Sequence, residues 1–307
     1  MRIFLAGGTG FIGRSLTERL QAEGHSLTLL TRSDRGPGPG PGPAGGAVRF
    51  VVGDGMVPGP WQEAVRSAGA VVNMAGATIF NRWTARAKKL LRESRIRTTA
   101  NIIAALAKDD TPGRVLLSSS AVGYYGFHGD EILDESAGPG DDFLACLCRD
   151  WENAAYRAAA AGVRVVTIRT GIVLGEKGGA LGTMAPLFRV GLGGRLGDGR
   201  QWFSWIHRDD LVSAMIFALR RPDISGPVNM CAPNPVRNRD LTRDLGAVLH
   251  RPAFLPVPRF AVRIAFGEFA DFLLKGQRVV PRVLLDRGFR FAAPALPEAL
   301  AAVFGRK

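Results

Sequence analysis

The stretch RIFLAGGTGFIGRSLTERL, residues 2–20, constrains the fold of this chain more than any other. A short apolar run passes into glycines, and the glycines pass into a helical pattern with Ile12, Leu16 and Leu20 on one face. Gly8, Gly10 and Gly13 give a G-x-G-x-x-G spacing at the junction. On its own that pattern is weak; between a strand and a helix it acquires a physical meaning. Gly8 is expected to permit a tight turn, Gly10 to let a phosphate approach the backbone, and Gly13 to let the helix pack on the strand. The helix N-terminus adds free N–H groups and the positive end of a dipole, so the turn suits an anion.

The rest of the 307 residues repeats the alternation. SLTLLTR, AVRFVVGD, AVVNMAGA, RVLLSSSAVG and VRVVTIRTGIVLG read as buried strands, with helices near 60–67, 84–108 and 142–161 between them. Nearly continuous apolar strands alternating with helices predict a parallel sheet covered on both faces. The expected fold class is therefore α/β: a Rossmann-type doubly wound parallel sheet with a smaller C-terminal substrate lobe. The division predicted is 1–230 for the dinucleotide-binding domain and 231–307 for the C-terminal lobe, with 175–205 contributing to the substrate side. Alternating Gly and Pro over 35–46 form neither helix nor ladder and predict a flexible surface loop. An amphipathic helix is predicted over RFAVRIAFGEFADFLLKGQ, with Phe269, Phe272 and Leu273 on its apolar face.

Composition narrows the function classes. Hydrophobic residues make up 46% and charged residues 22%, as in ordinary globular proteins. No apolar run approaches the roughly 18 residues of a membrane span, and MRIFLAGG enters a strand without a signal-peptide layout, so a cytoplasmic protein without a membrane partner is expected. The net charge is +13, carried mostly by arginine. Those arginines are spread along the chain with no aromatic-and-basic stripe, which argues against nucleic acid as the partner and is compatible with an anionic small molecule. Cys146, Cys148 and Cys231 lack paired spacing, so neither a disulfide framework nor a metal site is expected. A monomer or a homodimer fits these features equally.

Residues at the strand ends point to a particular cofactor. An acid after the second strand would bond the ribose 2′-OH of NAD. Thr31-Arg32-Ser33 stands there instead, with no acid before Asp34. An arginine suits a 2′-phosphate, which favours NADP(H) over NAD(H). Asp54 ends the third strand, where it can meet the adenine amino group. Asn73-Met74-Ala75-Gly76 ends the fourth, and its small residues would let the ribose and pyrophosphate lie against backbone.

GGTGFIG, the NMAGA turn, SSSAVGYYG, RTGIVLG and SWIHRDDL together resemble the short-chain dehydrogenase/reductases, in the extended NAD(P)-dependent epimerase/dehydratase branch. SRIRTT, FLACLCRDWE, APLFRVGLGGRLGDGRQWFSWIH and GEFADFLLKGQRVVP resemble an atypical, sugar-nucleotide-epimerase-like subgroup with a C-terminal domain of unknown function. The resemblance covers essentially the whole chain. It implies that Gly7, Gly10 and Gly13 form the phosphate turn, flanked by Thr9, Phe11 and Ile12. It places Arg32 on the 2′-phosphate, Asp54 on the adenine, Asn73, Ala75 and Gly76 on the ribose side, and Ile172 and Val173 beside the nicotinamide. Ser119 or Ser120 takes the catalytic-serine position.

The family's Tyr-x-x-x-Lys pair is absent. One alignment puts Leu144 and Cys148 at its positions, the neighbouring register Phe143 and Leu147. In the family the lysine charge lowers the tyrosine pKa and the phenol relays the proton that accompanies hydride transfer. Two functions follow. The chain is an NADP(H)-dependent oxidoreductase or epimerase-like enzyme on an unidentified polar metabolite, nucleotide-sugar-like in one reading, with Tyr125 as substitute proton donor beside Ser120 and with His128 and Cys148 as lesser candidates. Alternatively it is a non-catalytic NADP(H)-binding sensor or scaffold. For substrate, Arg82, Arg195, Arg200 and Trp202 are the candidates, with Phe203 and Trp205 as flat walls. His207 is expected to structure its turn, with Asp209 or Asp210 capping the next helix.

Overall fold

In the computed structural model, residues 1–33, 45–108, 111–176 and 178–305 are described. Most of the Gly/Pro segment expected to be a flexible loop lies outside the described residues. The apolar strands form one parallel sheet: β1 (Arg2–Ala6), β2 (Ser26–Thr31), β3 (Val48–Val52), β4 (Ala70–Asn73), β5 (Val115–Ala121), β6 (Arg164–Thr170) and β7 (Gly226–Met230). Their spatial order is β7-β6-β5-β4-β1-β2-β3. The chain therefore winds outward from β1 to β3, returns to β4 beside β1, and winds outward the other way. The reversal between β1 and β4 is the switch point above whose carboxyl ends such sheets bind ligands.

The helices are α1 (Phe11–Ala22), α2 (Gln62–Arg66), α3 (Ala85–Leu106), α4 (Phe143–Tyr156), α5 (Gly179–Arg189), α6 (Arg208–Arg220), α7 (Asn238–Val248), α8 (Arg259–Phe266), α9 (Phe269–Leu274), α10 (Arg282–Asp286) and α11 (Leu296–Phe304). Strand periodicity of two explains how they cover the sheet. Ile3 and Leu5 of β1 join Leu16 and Leu20 of α1 and Leu211 and Met215 of α6 in one core. Phe4 and Ala6 face the other way, to Val65 of α2, Ile102 and Leu106 of α3 and Ala155 of α4. Both faces are buried, so the strands read as unbroken apolar runs.

The tail does not stand apart from the sheet domain. Leu241, Leu245, Leu296 and Leu300 complete a third core with Leu174, Leu181, Phe188 and Trp205. Leu284 and Phe289 return to the first core. A small cluster of Val262, Ala270 and Leu274 takes Leu196 as a neighbour. A boundary at 230/231 thus cuts through shared packing.

Two predicted elements are broken by glycine. VRVVTIRTGIVLG divides at Gly171, where a Cβ would meet the Ser204 carbonyl at 2.9 Å. The following residues Ile172–Gly175 leave the main sheet and pair with Trp205–His207. The amphipathic segment of the tail divides at Gly267, whose φ of +60° ends α8 and redirects the chain into α9.

Candidate active site

The glycine turn is built by close approach. Gly7, not Gly8, takes the left-handed conformation, with φ +86°. The Gly10 N–H donates to the Gly7 carbonyl at 3.1 Å, and Gly8 packs on Leu29 and Leu5. A Cβ on Gly13 would stand 2.2 Å from the Gly7 oxygen, so the helix reaches the turn only without a side chain. The first turn of α1 has no acidic residue, and Gly10 gives it no side-chain cap. A helix start of this kind, with no side-chain acceptor among the described residues, suits an anion. Arg14 Nε donates to the Thr9 carbonyl at 3.0 Å. Ile12 packs against the first core. The Phe11 ring supports the far wall: a Cβ on Gly178 would lie 2.3 Å from it.

The other strand ends surround this turn. Arg32 is exposed just past β2 and makes no hydrogen bond or ion pair among the described residues. Asp54 is exposed just past β3, where its Oδ1 accepts from Met56 N–H at 3.0 Å. Ala75, Ser119, Ile172 and Val173 are half-buried at the same carboxyl edge, and Gly76 is exposed. Asn73 differs from expectation. It is fully buried, donating from Nδ2 to Thr99 Oγ1 at 2.9 Å and accepting at Oδ1 from Ala75 N–H at 3.3 Å. Its amide shapes the turn from below.

Ser120 and Tyr125 lie in the interior. Ser120 is 5% and Tyr125 0% exposed, so the tyrosine expected as substitute proton donor is enclosed rather than open to the cleft. Ser120 Oγ donates to Glu152 Oε1 at 2.6 Å. Arg169 grips Glu152 with two bonds of 2.9 Å and donates to the Tyr125 oxygen at 3.0 Å. The Tyr125 hydroxyl donates in turn to Asn229 Oδ1 at 2.7 Å. Burial raises the Tyr125 pKa, and Arg169 only partly offsets it. Enclosed and bonded on both sides, the phenol ties Arg169 to Asn229 as a strut. Tyr125→Phe should therefore lower stability by about 1–3 kcal/mol through the stranded partners of its hydroxyl, read as a fall in thermal midpoint, with NADPH affinity unchanged.

The positions aligned with the missing pair are sealed as well. Leu144 fills the space over Gly123, where a Cβ would meet it at 2.5 Å. Cys148 is 2% exposed, and burial, with the Glu152 charge next, pushes its thiol up to about 12. His128 is engaged by Glu131 and by the Tyr125 carbonyl, each at 3.0 Å.

The four substrate candidates separate. Arg200 and Trp202 line a cleft of about 270 Å³ with Phe127, Arg237, Arg259 and Lys275. Trp202 Nε1 donates to Asp130 at 2.9 Å, and the Arg237 guanidinium stacks 3.9 Å from its ring. Arg195 lines a different cleft, of about 360 Å³, with Arg239, Arg243 and Arg251. Arg82 lies exposed against Gly267. Trp205 is 0% exposed and so is core rather than a cleft wall, while Phe203 is half-buried. His207, not an aspartate, caps α6, accepting at Nδ1 from Asp209 N–H at 3.3 Å. Asp210 instead accepts from the Ala292 and Ala293 N–H groups of the tail.

Sequence reasoning missed the buried Glu152–Arg169 pair and the bond from Asn229 Nδ2 to the Val280 carbonyl in the tail, neither of which has a local sequence signal.

The chain matches a model of the NAD dependent epimerase/dehydratase family over residues 3–231 and a domain of unknown function over 257–303. It is 42% identical over 305 residues to an epimerase family protein of Arabidopsis thaliana, the SDR39U1 homolog, chloroplastic, covering 99% of this chain and 86% of that one. It is 43% identical over 300 residues to an epimerase family protein of Mycobacterium bovis, covering 97% and 96%. Its structure is similar to the crystal structure of human epimerase family protein SDR39U1 with NADPH, with a TM-score of 0.87, 37% identity and full coverage of both chains.

Proposed function

This chain belongs to the NAD dependent epimerase/dehydratase family, and from that premise we propose that it binds NADP(H) and uses it in oxidoreductase or epimerase-like chemistry on a polar metabolite. One observation carries the reading: a helix N-terminus without a side-chain cap stands over the Gly7–Gly13 turn, with Arg32 exposed at the end of β2 and making no ion pair among the described residues. The turn takes the pyrophosphate and Arg32 takes the 2′-phosphate. The human relative that the structure resembles was crystallised with NADPH. No described helix is long and apolar enough to cross a membrane; the cytoplasm is the compartment carried in this reading, although a relative is called chloroplastic.

When bound, the cofactor supplies or accepts a hydride. The chain then has to hold the substrate over Ile172 and Val173 and exclude bulk water. With Tyr125 tied into the interior and Leu144 and Cys148 sealed, the accompanying proton is left to water or to the substrate itself. The cleft around Arg200, Arg237 and Trp202, where Asp130 and Asp198 already pair with Arg237 and Arg259, offers an aromatic face and the Arg200 cation to a flat, anionic group such as a nucleotide. The sealed relay positions also favour a second reading, NADP(H) binding without turnover.

A panel of nucleotide sugars and polar carbonyl compounds, followed by nicotinamide absorbance and by product epimerisation, separates the two. Turnover with any member supports the enzyme. Tight NADPH binding with none across the panel supports the binding protein. Arg32→Ala should weaken NADPH about 10- to 100-fold, the worth of a charge-assisted contact of about 1.5–3 kcal/mol, and leave NADH nearly unchanged. Equal losses for the two would remove Arg32 from the 2′-phosphate.

A further inference from the structure

The cleft of about 360 Å³ lies apart from both the glycine turn and the cleft of Arg200 and Trp202. Its base is α7. Arg239, Thr242, Arg243, Gly246 and Ala247 line it, and they fall at i, i+3, i+4, i+7 and i+8, which is one face of a helix. Leu241 and Leu245 on the opposite face pack into the third core.

Two glycines draw further arginines onto this face. At Gly199 a Cβ would stand 3.0 Å from Arg239 Cβ and 3.3 Å from Arg195 Cβ, so the stems of these two arginines flank bare backbone. The Arg239 N–H donates to the Gly199 carbonyl at 3.0 Å. At Gly246 a Cβ would stand 2.8 Å from Ala253 Cβ and 2.9 Å from the Arg251 carbonyl. Without it, the chain that leaves α7 can double back along the helix. The reversal falls at His250, whose φ of 53° is the only positive value at a non-glycine residue among the described residues. The Arg251 N–H then donates to the Gly246 carbonyl and its Nε to the Arg189 carbonyl, each at 2.9 Å.

Four guanidinium groups therefore share one concavity, and the carboxylates do not balance them. Asp240 and Asp244 both pair with Arg243, at 3.4 and 2.8 Å. Arg195, Arg239 and Arg251 have no carboxylate partner among the described residues. All three are exposed. Like charges gathered in this way repel one another, and an anion between them removes that cost. Phe254, 75% exposed, stands at the rim.

We propose that this cleft is an anion site, separate from the dinucleotide turn, that binds a di- or triphosphate group. Guanidinium forks match phosphate oxygens in pairs. Three unpaired forks match the charge of a short oligophosphate better than that of a single carboxylate. A free oligophosphate and a nucleotide both carry this group, and only the nucleotide has a base to lay on Phe254. The proposal does not depend on the NADP(H) reading above.

The test is calorimetric titration with inorganic tripolyphosphate and, separately, with ATP, at low salt where exposed cations are least screened. Arg195→Met with Arg239→Met should weaken tripolyphosphate about tenfold or more. Arg157→Met with Arg290→Met, which removes the same charge from exposed positions elsewhere, should not. If the first pair does not fold, Ala247→Glu carries the same test, since it brings a carboxylate into the cleft from an exposed helix position. ATP binding more tightly than tripolyphosphate, with the gap closing in Phe254→Ala, identifies the ligand as a nucleotide; equal affinities identify it as the bare oligophosphate. A wild-type protein that does not bind tripolyphosphate overturns the proposal. So does undiminished binding in Arg195→Met with Arg239→Met, which places the anion elsewhere. An equal loss in both pairs also overturns it, because net charge alone then accounts for the binding.

Discussion

Arg169→Met should destabilise the protein by about 3–5 kcal/mol, the cost of leaving a buried carboxylate without its partner. Arg169 and Glu152 are each 3% exposed, and two bonds of 2.9 Å join them. Removing the guanidinium strands Glu152 in the core and takes a donor from the Tyr125 oxygen. In a chain of this size the loss corresponds to a fall of roughly 10 °C in thermal midpoint. Adding Glu152→Leu to Arg169→Met should restore part of it, because a well-packed apolar pair is often as stable as a buried ion pair. The contrary result, a single variant within about 0.5 kcal/mol of wild type, would mean that water reaches the pair. The interior assigned to Ser120 and Tyr125 would then be open to the cleft, and Tyr125 would return as a proton donor.

The second large effect is expected at Gly13. With a Cβ 2.2 Å from the Gly7 oxygen and 2.7 Å from Gly8 Cα, Gly13→Ala forces α1 away from the turn. The neighbours are backbone atoms, so no side chain can give way. Overpacking of this kind costs about 1–3 kcal/mol. The displaced helix also carries the N–H groups meant for the pyrophosphate. NADPH affinity should therefore fall by about 10- to 100-fold, more than the stability loss alone would lead one to expect. Gly8→Ala is the useful contrast. Its Cβ meets the Leu29 side chain at 2.9–3.0 Å and the Leu5 Cβ at 3.2 Å, core side chains rather than the backbone of the turn, so its effect on binding should be smaller. Equal effects at the two positions would remove the distinction drawn between turn and packing.

The central sheet was legible because each strand is buried on both faces. Ile3 and Leu5 point to one core, Phe4 and Ala6 to the other, and no alternation is left to confuse the reading. The phosphate turn was legible for a different reason: Gly13 answers to a steric demand of its own neighbours in sequence. What lay hidden were contacts over long separations. Asn229 bonds Tyr125 across 104 residues, and its Nδ2 bonds the Val280 carbonyl in the tail. Nothing local in SSSAVGYYG tells which tyrosine turns inward. Tyr124 is half-buried with the Arg169 guanidinium 3.5 Å from its ring, while Tyr125 is enclosed. The substrate side failed similarly. Arg195 and Arg200 are five residues apart in sequence but face different clefts, because Gly197 and Gly199, with φ of +60° and +70°, reverse the chain between them.

The most direct test of the account is a fluorescence titration of the purified protein with NADPH and, separately, with NADH. The account predicts tight NADPH binding and much weaker NADH binding, with the gap closing in Arg32→Ala. Failure to bind either, by a folded protein, would contradict it: the glycine turn would then be a packing device with no dinucleotide above it.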